Sequence, residues 1–210
     1  MSVKVSVARE GWPFIAVPAV LAAGLVLAGR RALALPFAAA SLASLGFFRD
    51  PEREVPPVPG GVLSPADGRV LSVDAIEDGF VGAAVRVAIF LSPLDVHVNR
   101  APVAGLVVGT VYSRGRFLAA YRSEAEDANE RCSLHLQGET ARVTVVQIAG
   151  VLARRIVCRV GPGDKLAAGE RFGMIRFGSR TDCVMPRGTD VRVRVGDRVT
   201  GGVTVLGVLA

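Results

Sequence analysis

Residues 163–175 read GDKLAAGERFGMI, and residues 196–209 repeat the same pattern as GDRVTGGVTVLGVL. Each stretch begins with a Gly-Asp turn, continues as a short apolar strand, turns again at glycine and ends in a second strand. Similar short apolar runs, bounded by Gly, Pro or Asp, occur at 85–92, 144–150, 154–160 and 190–195. The pattern predicts a mainly β domain of the sandwich or barrel type.

Helices are predicted in two other parts of the chain. Residues 119–131, AAYRSEAEDANER, are rich in charge and alanine, which favours a helix. Residues 12–29 and 32–48 carry no charge, and each is nearly long enough to cross the ~30 Å hydrocarbon core of a bilayer. Arg30 and Arg31 separate the two runs. Because arginine at the bilayer centre is costly, the two runs predict an apolar helical hairpin with the arginine pair at an interface.

The hairpin predicts a membrane-associated chain of two parts. Residues 1–50 would form the membrane-associating hairpin and residues 51–210 the β-rich domain, which begins with the Pro/Gly-rich linker PEREVPPVPGG. Positive charge on both flanks of the hairpin favours the cytoplasmic side for both ends, so we expect the inner cell membrane with the β domain in the cytoplasm. A hairpin buried in a soluble protein and a signal peptide are the alternatives, although LAGRRALA is a poor cleavage site.

The amino-acid composition of the chain favours some classes of binding partner over others. The 210 residues include 25 Lys and Arg against 19 Asp and Glu, for a net charge of +6 that favours anionic partners. Aromatic residues make up only 6% and are not interleaved with basic runs, which favours an anionic membrane surface over nucleic acid. Cys132, Cys158 and Cys183 are widely spaced and form no CxxC pair, so neither a metal site nor a disulfide framework is predicted.

Three short segments hold residues that could carry chemistry. They are SPADG (64–68) with Asp67, DVHVN (95–99) with His97, and the pair Gly178-Ser179. Taken singly, each has a structural explanation as an Asp-Gly turn, a structural histidine and a Gly-Ser turn. A serine hydroxyl becomes a nucleophile beside a base that a third group orients, and Ser179, His97 and Asp67 are the best candidates for these three roles.

Taken together with their surroundings, these segments resemble the phosphatidylserine decarboxylase family. The blocks that carry the resemblance follow the family's order: FFRDPER (47–53), SPADG (64–68), SPLDVHVNRAPVAG (92–105), NER (129–131) and GERFGMIRFGSRTDCVMP (169–186). With the apolar hairpin, the blocks cover nearly the whole chain. The chain length resembles the short bacterial form of the family.

The resemblance implies a self-processing lyase that is made as a zymogen. The chain would be cut between Gly178 and Ser179 into a large chain, 1–178, and a small chain, 179–210, that stay together. Ser179 would become a covalent pyruvoyl cofactor, with His97 as the base and Asp67 orienting it. A Schiff base between the pyruvoyl group and phosphatidylserine would then lose CO2 and yield phosphatidylethanolamine. The family resemblance also implies a homodimer.

The sequence departs from the family at one position. Longer members carry two histidines spaced three apart, whereas this chain has His97 followed by Arg100. Either His97 serves both self-cleavage and decarboxylation, or another group takes one task, and His135 is the only other imidazole in the chain.

Arginines near a glycine-rich stretch are candidates for binding the substrate phosphate, because guanidinium groups suit bidentate phosphate contacts. They are Arg114, Arg116 and Arg122. A solvated loop is the alternative interpretation of this stretch.

Two other functions compete with the decarboxylase. A non-catalytic, membrane-tethered β-rich binding module is possible, because the Gly-Asp strand repeat is similar to lipoyl-type carrier domains. Such a carrier needs a lysine at a hairpin tip, and neither Lys4 nor Lys165 is convincingly placed for that role. A serine hydrolase built on Ser179, His97 and Asp67 would lack the G-x-S-x-G elbow.

Overall fold

Two units make up the chain, one ending at Glu52 and the other beginning at Arg53. The computed structural model describes residues 5–121, 125–151, 155–176 and 179–209. The first unit contains β1 (Val5–Val7), a 3₁₀ turn (Arg9–Gly11), α1 (Trp12–Leu27), α2 (Arg31–Phe47) and β2 (Arg49–Pro51). β1 and β2 pair antiparallel and join the two ends of this unit.

The helix pair confirms the predicted apolar hairpin. Gly29 has a φ of +75°, a conformation that favours glycine and lets the chain reverse between α1 and α2. Ser41 Oγ donates a hydrogen bond to the carbonyl of Ile15 at 2.9 Å and so links the two helices. The segment Arg9–Leu27 has a mean hydropathy of 1.7 and is long and apolar enough to cross a membrane, whereas Arg31–Phe47 is shorter.

The second unit is mainly β, as the sequence predicts. Its elements are β3 (Gly61–Leu63), β4 (Gly68–Asp78), β5 (Gly82–Leu91), β6 (Val98–Arg100), β7 (Gly105–Ser113), α3 (Ala125–Ala128), β8 (Arg131–Gly138), β9 (Arg142–Ile148), β10 (Arg155–Cys158), β11 (Lys165–Leu166), β12 (Arg171–Arg176), β13 (Ser179–Pro186), β14 (Asp190–Val191), β15 (Arg198–Val199) and β16 (Val205–Val208). An eight-stranded sheet has the order β11-β7-β8-β9-β13-β5-β4-β15, and two three-stranded sheets have the orders β10-β12-β6 and β14-β16-β3.

The core follows from alternation along these strands. Inward-facing residues such as Val87, Ile89, Val145, Cys183 and Met185 are fully buried in one apolar cluster. On β13 and β5, the residues between these inward-facing ones point to the opposite face of the sheet, because side chains alternate along a strand. Ser179 and Arg180 therefore face opposite sides.

The Gly-Asp repeat has a structural counterpart in both copies. Gly163 and Gly196 have φ values of +97° and +95°, which glycine adopts readily. After these turns β11 pairs with the beginning of β7, and β15 pairs in the same way with the beginning of β4. The strand–turn–strand prediction made from the sequence is confirmed for both copies.

The similarity of the two copies extends to the segments they pack against. The backbone N–H of Leu63 donates to the carbonyl of Pro102 at 2.8 Å, and the N–H of Arg100 donates to the carbonyl of Pro65 at 2.9 Å. Because the two bonds are reciprocal, segment 64–70 and segment 101–107 occupy equivalent places in the fold. The SPADG segment is thus one half of a repeated structural unit.

Two local predictions are wrong in extent. The helix predicted over 119–131 is reduced to Ala125–Ala128, with residues 122–124 outside the described residues. Asn129 ends it, because its side-chain amide bonds to the backbone of Leu118 and Ala149. The strand predicted over 190–195 is limited to Asp190–Val191, since the chain enters a turn in which Asp197 binds the N–H of Arg194.

Candidate active site

Ser179 is the first residue of β13 and is fully buried. It lies opposite Leu91, the last residue of β5. Its Oγ has no hydrogen-bond partner among the described residues. An unsatisfied buried hydroxyl costs about 1–3 kcal/mol, and native proteins keep few of them. Such a hydroxyl fits a reactive group better than a structural one. Gly178, the other half of the predicted cleavage site, lies outside the described residues.

His97 is also fully buried and comes directly before β6. Its Nδ1 lies 2.9 Å from the backbone carbonyl oxygen of Asp95. A carbonyl only accepts hydrogen bonds, so in the neutral ring Nδ1 carries the proton and Nε2 carries the lone pair. His97 is therefore held in a tautomer that can accept a proton at Nε2.

Asn99 joins the three segments singled out in the sequence. Its Nδ2 donates to Thr181 Oγ1 at 3.1 Å and to the carbonyl of Pro65 at 3.4 Å. Its Oδ1 accepts a bond from Gln147 Nε2 at 2.8 Å. Asn99 and Gln147 are both fully buried. The SPADG, DVHVN and Ser179 segments therefore meet at one buried amide.

His97 and Ser179 each lie two residues before one partner of the Asn99–Thr181 hydrogen bond. Asn99 lies opposite Gly173 of the antiparallel strand β12, yet it also contacts Thr181 of β13, which belongs to the large sheet. Two residues along an extended chain span roughly 7 Å. The hydrogen bond therefore brings together the two chain segments that carry His97 and Ser179.

Gly173 makes room for this junction. A Cβ at this position would lie 2.2 Å from the carbonyl oxygen of Val157 and 3.1 Å from Gln147 Nε2. A side chain there would push Gln147 away from Asn99.

Asp67 has partners other than those predicted for it. Its carboxylate forms a two-point ion pair with Arg53, with distances of 2.5 and 2.7 Å, and accepts a bond from the N–H of Gly201 at 2.8 Å. Both side chains are largely buried. This pair connects the FFRDPER and SPADG blocks physically. An orienting role of Asp67 toward His97 stays a prediction.

Neither Arg100, which stands where longer family members have a second histidine, nor His135 is suited to act as the processing base. Arg100 is buried at the end of β6 away from His97, where its Nη1 donates to the carbonyl of Gly169 at 3.0 Å. A guanidinium does not give up its proton in proteins and cannot act as a base. His135 lies opposite Thr144, which itself lies opposite Val184. Val184 is five residues, roughly 16 Å, along β13 from Ser179.

The predicted phosphate-binding arginines lie partly within the described residues. Arg114 and Arg116 are exposed just after β7, and Arg122 lies outside the described residues. Ser113 is the last residue of β7. Following the cross-strand pairs from Ser113 through β8 and then β9 leads to Arg180 of β13. Arg114 therefore follows β7 at the same end of the sheet as Ser179. Their role in phosphate binding stays a prediction.

A network of charged side chains, of which Arg180 and Asp182 are buried, lies behind Ser179 on the opposite face of β13. Arg180 Nε and Nη2 donate to the two carboxylate oxygens of Asp182 at 2.6 and 2.7 Å, and Nη2 also reaches Glu126 at 3.2 Å. Arg86 pairs with Asp74 and with Glu126. Burial raises the pKa of Asp182, and the Arg180 guanidinium opposes that rise. The network fixes the strand that carries Ser179.

We expect Asp182→Ala to lower the free energy of unfolding by about 3–5 kcal/mol, because it leaves the buried Arg180 guanidinium without its main partner. Asp190→Ala is the matched control, since Asp190 and Arg192 form an exposed pair with the same two-residue spacing. We expect the control to cost at most about 1 kcal/mol. Urea unfolding of the two variants measures both changes, and equal losses would contradict this account of the network.

The described residues include no group of three or more His, Cys, Asp or Glu side chains that could hold a metal ion. The amides of Asn99 and Gln147 meet the hydroxyl of Thr181, and the Ser179 hydroxyl and the His97 imidazole each lie two residues from this contact along the chain. This set suits proton transfer and a nucleophilic hydroxyl.

The residues that sequence reasoning missed are Asn99, Gln147, Thr181, Arg53 and the carbonyl of Asp95. Asn99, Thr181 and Arg53 lie within the sequence blocks that resemble the family. That position was the only feature of the sequence that could have pointed to them. Gln147 lies in a run interpreted only as a strand.

Comparison with known proteins defines the class of protein to which this site belongs. A family model for phosphatidylserine decarboxylase matches residues 42–207. The matched region contains the whole second unit up to Gly207 and every candidate site residue. The chain belongs to the phosphatidylserine decarboxylase family.

Individual relatives agree with the family match. A phosphatidylserine decarboxylase proenzyme of Symbiobacterium thermophilum is 50% identical over 204 residues, which cover 96% of this chain and 94% of the relative. Proenzymes of the same name from Nitrosomonas europaea and Aromatoleum aromaticum are 46% and 45% identical, and each alignment covers 95% of this chain and 94% of the relative. Membership of this family supports an enzyme of the decarboxylase class.

Proposed function

We propose that this chain is a self-processing, pyruvoyl-dependent phosphatidylserine decarboxylase. The observation that carries the proposal is the buried Ser179 hydroxyl, which has no partner among the described residues. The Asn99–Thr181 hydrogen bond brings its strand to the segment that contains His97. The word proenzyme in the relatives' names supports a precursor that must be processed.

In the proposed cleavage, His97 Nε2 removes the proton of Ser179 Oγ, which then attacks the carbonyl carbon of Gly178. A C–O bond forms as the peptide C–N bond breaks, and the amine of Ser179 takes up a proton. The product is an ester between the two chains. Loss of the Ser179 Cα proton with departure of the Gly178 carboxylate then leaves dehydroalanine, and water converts it to a pyruvoyl group with release of ammonia.

A cut before Ser179 leaves the hydrogen-bonded pairing of β13 intact. The strand pairs over its length with β5 on one side and with β9 on the other. β14, β15 and β16 pair with other strands of the same unit. The small chain, 179–210, would therefore stay bound to the large chain, 1–178, without a covalent link.

The same residues serve the decarboxylation. The pyruvoyl group supplies an electron sink for the electron pair that is left when CO2 departs. His97, directly before β6, is the residue whose Nε2 would return a proton to the substrate carbon. The buried setting of His97 and Ser179 would exclude bulk water from the site.

The substrate and the apolar helices suggest the same location. Phosphatidylserine is a membrane lipid, and the segment Arg9–Leu27 is long and apolar enough to cross a bilayer. We place the chain at the inner cell membrane with the second unit on the cytoplasmic side. The net charge of +6 favours the anionic membrane surface. A homodimer and the absence of nucleic-acid binding are further parts of this proposal.

Intact-mass analysis of the purified full chain, together with an assay for phosphatidylethanolamine, tests the proposal. We expect two fragments that separate at 178/179, the smaller one beginning with a pyruvoyl group, and conversion of phosphatidylserine with release of CO2. An intact chain with no turnover would instead support the non-catalytic binding module. Ester hydrolysis by an intact chain would support the serine hydrolase.

A further inference from the structure

Two tight turns meet at the end of the large sheet where β5 ends and β4 begins. Residues 92–95 form the first turn, in which Asp95 N donates to Ser92 O at 2.9 Å and Asp95 Oδ2 accepts from Ser92 N at 2.8 Å. Residues 194–197 form the second, in which Asp197 N donates to Arg194 O at 3.1 Å and Asp197 Oδ2 accepts from Arg194 N at 2.8 Å. Both turns are closed twice, so their tips are held firmly.

Contacts between the strands bring the two turns together. Arg198 lies opposite Arg69, and Arg69 lies opposite Phe90, so β15, β4 and β5 end side by side. Arg198 Nη1 lies 3.4 Å from the Asp95 carboxylate and links the turns directly. Arg69 Nη1 donates to the carbonyl of Gly196 at 2.8 Å.

The tips present an apolar residue each, surrounded by arginines. Leu94 is 83% exposed and Val195 is 64% exposed. Arg69, Arg194 and Arg198 are exposed around them. We call these five residues the Leu94 surface. The nearby carboxylates of Asp95 and Asp197 accept the backbone bonds that close the turns, and the surface keeps a net positive charge.

We propose that the Leu94 surface docks onto a bilayer that carries anionic lipids, separately from the N-terminal helices. Leucine and valine on firm tips suit shallow insertion at the boundary between headgroups and acyl chains. The arginines would then lie at headgroup depth, where guanidinium groups bind phosphate oxygens. A nucleic acid or an acidic protein would use the arginines and leave Leu94 in water, so an anionic bilayer is the occupant that uses both features.

The docking surface is connected to the candidate site. The carbonyl of Asp95, in the first turn, contacts His97 Nδ1 at 2.9 Å. Leu91, which precedes the same turn, lies opposite Ser179. Insertion of Leu94 would therefore bring the edge of the sheet that holds Ser179 against the lipid headgroups. The surface stands on its own residues and does not depend on the decarboxylation proposed above.

A fluorophore at Leu94 in the full chain tests this surface. The chain carries Leu94→Cys in a Cys158→Ala background, because Cys132 and Cys183 are buried and Cys158 is not. After labelling with an environment-sensitive fluorophore, the chain is reconstituted into vesicles of phosphatidylcholine alone or of equal parts phosphatidylcholine and phosphatidylglycerol. Val108→Cys, at a 48% exposed position on β7, is the matched control in the same background.

We expect a blue shift at position 94 in the phosphatidylglycerol vesicles, little shift in phosphatidylcholine, and none at position 108. Adding Arg69→Gln and Arg198→Gln should weaken the docking equilibrium on the phosphatidylglycerol vesicles roughly 30-fold, at about 1 kcal/mol for each arginine, and so shrink the blue shift. The same shift in both kinds of vesicle, or at both positions, would overturn the proposal. So would a shift without vesicles, whether it arises at high protein concentration, which would identify a second copy, or with polyglutamate, which would identify an acidic polypeptide.

Discussion

Ser179→Ala is expected to leave the chain as a single intact polypeptide with no decarboxylase activity. The substitution removes the only atom that the proposed cleavage uses as a nucleophile, and with it the source of the pyruvoyl group. We expect no fragment that ends at position 178 on a denaturing gel or by intact mass. Conversion of phosphatidylserine should fall to background, because the electron sink is never made.

The stability of the same variant separates a catalytic role from a structural one. Ser179 Oγ is buried without a partner among the described residues, so its removal should leave the free energy of unfolding unchanged or raise it. Ser64 is an equally buried serine whose Oγ donates to the carbonyl of Ala66 at 2.6 Å. Ser64→Ala should lose about 1 kcal/mol of stability and still be processed.

Two results would contradict this account. A Ser179→Ala chain that is still cut at 178/179 would require another nucleophile. A Ser179→Ala chain that remains uncut but still decarboxylates phosphatidylserine would require another electron sink.

The strand pattern could be read from the sequence because its signals are local. Gly163 and Gly196 mark turns that need a positive φ, and the strands that follow are short and apolar. The helix over 119–131 was overpredicted for the opposite reason. Composition favours a helix there, but the Asn129 side chain ends it through bonds to residues up to 20 positions away.

The organisation of the site depends on long-range register, which no local pattern contains. The amide of Asn99 reaches Thr181 across 82 positions and Gln147 across 48. The sequence resemblance pointed to Ser179, His97 and Asp67, and the fold adds that Asn99 joins the segments that carry the first two. The Arg53–Asp67 ion pair could not be predicted from the sequence either, although both residues lie in the sequence blocks that resemble the family.

His97→Ala is expected to slow self-cleavage by roughly 10²–10⁴-fold, the usual contribution of a general base. His97 lies two residues before Asn99, which bonds to Thr181 of β13, and its Nδ1 bond to the Asp95 carbonyl leaves Nε2 as the proton acceptor. The time course of precursor conversion during expression or refolding measures the rate. His135→Ala is the matched control, and we expect it to be processed at the rate of the unaltered chain.

Two further variants identify what orients His97. Asp67→Asn and Arg53→Gln both weaken the same ion pair, so loss of the pair alone should affect both chains equally. If Asp67 also acts on His97, only Asp67→Asn should slow processing beyond that shared effect. Equal processing of the two variants would leave the Asp95 carbonyl as the orienting group. Normal processing of His97→Ala would contradict the assignment of His97 as the base. Neither alternative could replace it, because Arg100 cannot accept a proton and His135 faces Thr144 at the far end of the strand.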